Sequence, residues 1–180
     1  MPIRRRLIKQ HVETLLAQSS VTSAPVPIEK IAGALGLQVR YEPLDGDLSG
    51  CLVRQEGAQP TVGINSQQSA TRQRFTLAHE CAHFLLHKGE EVILDRAFHV
   101  NRRDTVSQKA EVPDEIEANF FAAELLMPET FLKEDLKGKA FDLSDDELIE
   151  SLARKYMVSQ QAFTYRLVNL GYLEPVLERA

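Results

Sequence analysis

Hydrophobic positions recur every three or four residues over much of this chain, which is the spacing of amphipathic helices. The pattern predicts one helix over residues 3–18 and a short one that starts at Ile28 and ends at Gly36. Between Gln38 and Ile64 the pattern changes to short apolar runs separated by turns, which indicates strands. The expected strands are Gln38–Tyr41, Gly50–Arg54 and Thr61–Ile64, with Gln55–Pro60 as the hairpin connection between the last two. A small antiparallel sheet is therefore predicted.

Helical spacing returns in the second half of the chain. A long helix is predicted from Ser69 to about Lys88, and another over Pro113–Met127 with Asp114 as its N-cap. Residues 90–112 between them have no clear period and are predicted to form a loop. Further helices are expected at Glu129–Leu136, from Ser144 to Tyr156 and from Ser159 to Asn169. Helices together with a small sheet make this an α+β fold.

The last two predicted helices have the rhythm of a helix-turn-helix. We therefore expect two units, a core over residues 1–140 and a helix-turn-helix-like segment over residues 141–180. That segment has more acidic than basic side chains, so we expect it to dock a protein or complete the core rather than bind DNA.

Composition indicates which class of protein this is and in which compartment it is expected to work. The 180 residues are 43% hydrophobic and 26% charged, which is ordinary for a globular domain, and no apolar run is long enough to span a membrane. The N-terminus lacks a signal-peptide pattern, so a cytoplasmic location is expected. Cys51 and Cys81 fit a reducing compartment, and Cys81 is expected in the core. The net charge of −5 gives no general attraction to nucleic acid.

The main chemical signal is the motif His79-Glu80-x-x-His83 in the long predicted helix. Residues four apart lie on the same helical face, so both imidazoles can bind one Zn²⁺ ion. Glu80 is rotated by about 100° from His79 and can act as a general base on a metal-activated water. The flanking residues are apolar, which predicts a buried helix in which two histidines need a partner.

Catalytic zinc usually has a third protein ligand, for which the sequence offers several residues. His87 continues the same helical line, but it lies too far along the helix axis from His79 for both to bind one ion. His99 falls in the loop that has no clear period. Glu117 on the next helix is the favoured candidate. The alternative is that Glu117 only completes a capping box with Asp114.

Two polar residues on the same helix are candidates for holding the third ligand. We expect Asn119 or Glu124 to contact Glu117 and to orient it. The group that would stabilise the oxyanion is not assigned, and His99, Tyr156 and Tyr165 are weak candidates.

Two blocks of this sequence, Thr71–His87 and Glu117–Pro128, resemble the ImmA/IrrE family of metallo-endopeptidases. The similarity extends upstream through Pro27–Ala32 and Leu48–Gly50 and downstream through Leu152–Ser159, so it covers most of the chain.

The resemblance implies a thermolysin-like core with zinc on His79, His83 and Glu117, and with Glu80 as the base. It also implies a protein substrate, typically a helix-turn-helix repressor that is encoded nearby, whose cleavage relieves repression. Manganese and iron are alternatives to zinc. Two other functions remain open: a DNA-binding regulator with structural zinc, and a toxin–antitoxin interaction protein without peptidase turnover.

Overall fold

Seven helices and a four-stranded sheet form the part of the chain that the computed structural model describes, which is residues 2–87, 92–96, 111–137 and 146–173. In chain order the elements are α1 (Arg5–Gln18), α2 (Ile28–Ala34), β1 (Gln38–Glu42), β2 (Leu48–Val53), β3 (Thr61–Asn65), α3 (Ala70–Leu86), β4 (Val92–Arg96), α4 (Glu111–Leu126), α5 (Glu129–Leu136), α6 (Asp146–Tyr156) and α7 (Gln160–Asn169). The α+β class predicted from the sequence is confirmed.

The sheet is mixed, with the strand order β1-β3-β2-β4. Strands β2 and β3 pair antiparallel, as the predicted hairpin requires. Strand β1 pairs with β3 in parallel, so the expectation of a purely antiparallel sheet is wrong. The first three strands alternate in direction along the chain, and β3 lies between β1 and β2, so β1 pairs with a strand that runs in its own direction.

The predicted loop over residues 90–112 is also partly wrong. Val92–Arg96 forms β4, which pairs antiparallel with β2 on the side opposite to β3. Its pairing partner β2 is distant in sequence, so the local residue pattern did not reveal this strand. The following helix α4 begins at Glu111, and Asp114 therefore lies within the helix instead of capping it.

Helix α3 lies at the centre of the molecule and packs against α4, α2 and the sheet strands β2 and β3. Its start is fixed by Ser69, whose side chain accepts a hydrogen bond from the Arg72 amide at 3.3 Å. Leu77, Ala78 and Cys81 are fully buried on this helix, which confirms Cys81 as a core residue. The motif His79-Glu80-x-x-His83 therefore lies in a stretch of α3, residues 76–83, in which every residue is buried.

Helices α6 and α7 form a pair joined by a short turn. Helix α7 contacts α4 through Arg166 and Glu124, and α6 contacts α5 through Tyr156 and Asp135. The rings of Tyr156 and Phe163 lie 5.6 Å apart within the pair. Arg166 on α7 donates a hydrogen bond to the carbonyl oxygen of Met127 at 3.1 Å. The pair therefore contacts the core directly, and its division from the core at residue 140 stays a prediction. Among the described residues, no helix has the length and apolar character needed to cross a membrane.

Candidate metal centre

His79 and His83 lie one turn apart on α3 and point at the same place. Their Nε2 atoms are 2.9 Å apart, and the residues are only 2% and 3% exposed. Two buried imidazole nitrogens this close can share one proton in a hydrogen bond or bind one cation between them. The i,i+4 spacing that predicted the pair is thus realised in the structure.

A carboxylate from α4 completes the cluster, and it belongs to Glu115. Its Oε2 lies 3.2 Å from the Nε2 of His79, and its Oε1 lies 3.1 Å from the Nε2 of His83. One ligand atom from each of the three residues lies within 4.8 Å of the other two. Two imidazoles and one glutamate are a donor set of catalytic zinc sites, so these residues fit such an ion.

The electrostatics of Glu115 agree with this arrangement. Burial raises the pKa of its carboxyl group, but the hydrogen bonds and charges of His79 and His83 outweigh burial and bring the pKa below its usual value. Glu115 is therefore ionised at neutral pH. Its side chain is still 37% exposed, so the cluster is open to solvent on this side.

The second ring nitrogen of His79 is held by α4. Its Nδ1 lies 3.2 Å from the Oδ1 of Asn119, which accepts the hydrogen bond when the ring carries its proton on Nδ1. That tautomer leaves Nε2 with a lone pair directed at the metal position. In the structure Asn119 therefore contacts the candidate ligand His79, whereas the sequence predicted that it would contact Glu117.

The second ring nitrogen of His83 begins a chain of polar contacts. His83 Nδ1 lies 3.0 Å from His87 Nδ1, and His87 Nε2 lies 3.3 Å from Glu117 Oε2. Arg4 then binds Glu117 with its Nε and Nη2 atoms, at 2.5 Å for the shortest pair, and with its backbone amide at 2.7 Å. With one proton on each ring, every contact in the chain has a donor and an acceptor.

Glu117 is therefore placed differently from the sequence expectation. It is buried beside Arg4 and His87, and the hydrogen bonds from Arg4 lower the pKa of its carboxyl group to about 2. Residues two apart on a helix are rotated by about 200°, so Glu115 and Glu117 cannot face the same point. The sequence did contain a signal for Glu115, because Asn119 lies four residues further on and shares its helical face.

Glu80 occupies the neighbouring face of α3 and is fully buried between this helix and β2. A Cβ atom built on Gly50 of β2 would lie 3.4 Å from the Oε1 of Glu80 and only 2.5 Å from the Cγ2 of Thr76. The absence of a side chain at Gly50 therefore lets the strand approach the helix next to this carboxylate.

The remaining candidate residues lie in different places. Glu124 pairs with Arg166 of α7, with 2.8 Å between Oε2 and Nη2, and does not contact Glu117 in any described interaction. Tyr156 is fully buried and donates a hydrogen bond to Asp135 at 2.8 Å. Tyr165 is 62% exposed and lines the same cavity as His79. His99 lies outside the described residues.

Known proteins share parts of this sequence and of this fold. The family model described as "Peptidase_M78: IrrE N-terminal-like domain" matches residues 32–168, and no curated protein matches the chain. A solved structure of a Mycobacterium tuberculosis transcriptional regulator is similar, with a TM-score of 0.58 and 13% identity. That similarity covers 89% of this chain but only 46% of the regulator, so the chain spans about half the length of that protein. Because the family model matches well over half of the sequence, the chain belongs to the IrrE N-terminal-like (Peptidase_M78) family of metallopeptidases.

Proposed function

We propose that this protein is a zinc-dependent endopeptidase that cleaves a helix-turn-helix transcriptional repressor and so relieves repression. The observation that carries the proposal is the cluster of His79, His83 and Glu115, whose donor atoms converge within 4.8 Å while Glu115 stays partly exposed. A structural zinc site is closed by four protein ligands, whereas a catalytic site keeps one position for water or substrate. Three donors with an open side match the catalytic type, in a thermolysin-like core.

The chain supplies the residues that such a reaction needs. Bound zinc at His79, His83 and Glu115 would lower the pKa of a coordinated water and polarise the scissile carbonyl group. In our proposal the carboxylate of Glu80 accepts the proton from the attacking water and passes it to the leaving nitrogen. Asn119 keeps the ring of His79 in the tautomer that presents Nε2. Manganese and iron are the alternative ions.

Tyr165 is the better of the two tyrosine candidates for stabilising the oxyanion. Its exposed side chain lines the cavity that His79 also lines, so its hydroxyl group has access to a bound substrate. The hydroxyl group of Tyr156 is already bonded to Asp135 in the interface between α5 and α6. A donor that is buried in this way has no route to a reacting carbonyl group.

The repressor as substrate is supported by the family to which the chain belongs and by its similarity to ImmA/IrrE peptidases. A regulatory role is in keeping with the name of the Mycobacterium tuberculosis transcriptional regulator, whose fold is similar. A repressor substrate also requires the protein to work in the cytoplasm.

The charges of the C-terminal helices argue against the DNA-binding alternative. Among the described residues of α6 and α7, each cation faces a carboxylate: Arg154 pairs with Glu150, Lys155 with Asp135 and Arg166 with Glu124. Arg166 is buried and cannot reach a DNA phosphate, whereas Arg154 and Lys155 are exposed but lie beside carboxylates that would repel the phosphates. A salt-sensitive gel shift with duplex DNA would reverse this preference.

The proposal is tested with the zinc-loaded protein and small helix-turn-helix repressors that are encoded beside its gene. We expect one of them to be cut at a defined bond, as seen by electrophoresis and mass spectrometry. Glu80→Gln should bind the same amount of zinc and leave the repressor intact. If Glu80→Gln still cleaves, the catalytic assignment is wrong, and if the wild type binds a repressor tightly without cutting it, the interaction-protein alternative holds.

A further inference from the structure

His87 is the third histidine in the i,i+4 series that starts at His79, and it follows the last residue of α3. Neither of its ring nitrogens belongs to the donor set of the candidate metal centre. Its Nδ1 instead lies 3.0 Å from the Nδ1 of His83, the ring nitrogen that does not face the other ligands. The side chain of His87 is only 8% exposed, so this contact is shielded from water. His87 therefore contacts a metal ligand without being one.

The hydrogen bonds beyond His87 determine which of its ring nitrogens carries the proton. A guanidinium group can only donate, and Arg4 donates to both carboxylate oxygens of Glu117, at 3.1 Å from Nε to Oε1 and at 2.5 Å from Nη2 to Oε2. Glu117 is thus an acceptor, and its contact of 3.3 Å with the Nε2 of His87 requires the proton on that nitrogen. The other nitrogen of a neutral ring is then an acceptor. His87 therefore presents a lone pair on Nδ1 to His83.

This lone pair selects one tautomer of His83. The Nδ1 of His83 has to carry the proton, so its Nε2 keeps the lone pair that a metal ion needs. The opposite tautomer would bring two lone pairs to within 3.0 Å and would place a proton on the nitrogen that faces Glu115. The two ligand histidines are held in the same way, because Asn119 accepts a hydrogen bond from the Nδ1 of His79.

We propose that His87 is a positioning residue that holds His83 in its metal-binding tautomer, and that Arg4 sets the direction of these hydrogen bonds through Glu117. The inference rests on the metal centre of the proposed function and is independent of peptide cleavage. Groups that orient a ligating histidine usually change metal affinity by about 10–100-fold. The third histidine of the series thus contributes to metal binding from outside the donor set.

The alternative is that His87 holds an ion of its own. His87, Asp114 and Glu117 offer donor atoms that lie within 4.8 Å of one another. However, the Oδ1 of Asp114 is 3.6 Å from the Nε2 of His87 on a side chain that is 51% exposed, and Glu117 already binds the cation of Arg4. An ion on the Nε2 of His87 would also leave the proton of that ring on Nδ1, opposite the proton of His83. These contacts favour the positioning role.

The test compares two substitutions of His87 that have nearly the same shape. Asparagine and leucine are similar in size, but only asparagine has a carbonyl oxygen that accepts the proton from the Nδ1 of His83. We expect His87→Leu to weaken zinc binding by about 10–100-fold and His87→Asn to recover most of that loss. Titration against a chelating dye measures the affinities. Equal losses in the two variants would indicate a packing role and overturn the proposal.

Arg4→Met tests the outer end of the chain of hydrogen bonds, because methionine has a long side chain that donates nothing. We expect a loss of zinc affinity of about tenfold or less, since the backbone amide of Arg4 still binds Glu117 at 2.7 Å. Arg6→Met is the matched control and should leave the affinity unchanged, because Arg6 is exposed on α1 and its side chain has no partner among the described residues. Equal effects of the two substitutions would remove Arg4 from the proposal.

The tautomers are read directly from the 15N shifts of the histidine rings in the zinc-loaded protein, with His87→Asn used to assign the signals of His87. We expect a proton on the Nε2 of His87 and on the Nδ1 of His83. A proton on the Nδ1 of His87, or an ion on its Nε2, would overturn the proposal. If circular dichroism shows that His87→Leu does not fold, the shifts of the wild type still decide.

Failure of this inference can be told apart from failure of the proposed function. Zinc binding with the expected tautomers but without cleavage of any repressor refutes the peptidase function alone. Equal zinc affinities of the wild type and His87→Leu refute the positioning role alone. A wild type that binds no zinc refutes both, because the metal centre then has no ion for His83 to bind.

Discussion

Glu115 and Glu117 lie two residues apart on α4 and have different partners. Glu115 faces the two metal-binding histidines, whereas Glu117 is enclosed by Arg4 and His87. Glu117 already has a cation in the Arg4 guanidinium group, and Glu115 has none among its described partners apart from the imidazoles. At this scale Glu115 is the residue suited to bind the metal, and Glu117 is suited to hold His87 and through it His83.

This difference predicts unequal effects on metal affinity. Glu115→Gln removes an anionic donor and should weaken zinc binding more than any other single change on α4. Glu117→Gln should weaken it by roughly 10–100-fold, the usual range for residues that orient a ligand. Competition with a chromophoric chelator measures both constants. A larger loss for Glu117→Gln would return the third-ligand assignment to that residue.

The parts of the site that follow from local spacing were accessible from the sequence. His79, Glu80 and His83 could be placed because four residues make one helical turn. The spacing of Glu115 and Asn119 is a signal for Glu115, but it does not decide between Glu115 and Glu117. That choice depends on how α4 is rotated against α3 and on Arg4, which is 113 residues away from Glu117. Asn119 was predicted to contact Glu117, whereas in the structure its Oδ1 lies 3.2 Å from the Nδ1 of His79.

At the scale of elements, helix α3 approaches strand β2 closely, and Glu80 is buried at this contact. A methyl group on Gly50 would lie 2.5 Å from the Cγ2 of Thr76, a separation that requires the helix or the strand to move. The backbone carbonyl oxygen of Gly63 would lie 3.1 Å away on the adjoining strand and limits that movement. Gly50 is therefore needed for its small size.

Gly50→Ala should consequently lower the free energy of unfolding by about 1–3 kcal/mol, the usual range for overpacking a core. It should also slow peptide cleavage, because Thr76 and Glu80 are one turn apart on the displaced helix. Gly33→Ala in α2 is the matched control, since a Cβ atom there meets nothing within 4 Å, and it should leave stability unchanged or increase it. Urea unfolding of both variants measures the effect. Equal stabilities would show that the interface is more adaptable than the distances indicate.

The contact between α7 and α4 depends on the ion pair of Arg166 with Glu124, whose side chains are 3% and 7% exposed. Glu124→Gln leaves a guanidinium charge buried without its carboxylate, and such losses are about 3–5 kcal/mol. The double variant Glu124→Gln/Arg166→Met should recover most of that stability because it removes the charge. Glu150→Gln at the exposed pair with Arg154 is the control, with an expected loss below about 1 kcal/mol. Chemical unfolding that ranks the two glutamine variants equally would contradict a buried pair.

The sequence predicted where helices and strands lie along the chain better than it predicted which strands pair with each other. Each of the seven helices has an amphipathic pattern or a capping residue, and the Ser69 and Ser159 caps are both realised. Strand β4 was missed, and β1 was expected to pair antiparallel, because strand pairing is decided between segments that are distant in sequence. Only the hairpin of β2 and β3 is local, and it was predicted.

At the scale of the whole molecule, the metal centre lies where several distant segments meet. Helices α3 and α4 supply the candidate ligands, and Arg4, the residue before α1, reaches the same region through its contact with Glu117. Lys9 on α1 also pairs with Glu129 on α5 at 2.7 Å. An ion at the site would therefore join α3 and α4 at a point that α1 already supports.

Removing the metal should for this reason destabilise the entire fold and not only the site. A ligand present at about 1,000 times its dissociation constant adds about 4 kcal/mol to the free energy of unfolding, which for a domain of this size corresponds to a rise in Tm of roughly 8–16 °C. We expect a chelator to lower the Tm of the zinc-loaded protein by an amount in this range and added zinc to restore it. Glu80→Gln should respond like the wild type because it keeps all three ligands, whereas His83→Ala should unfold at nearly the same temperature with and without zinc. A chelator effect of equal size in His83→Ala would mean that the stabilising ion binds elsewhere, and no effect in the wild type would mean that His79, His83 and Glu115 do not hold an ion that couples to folding.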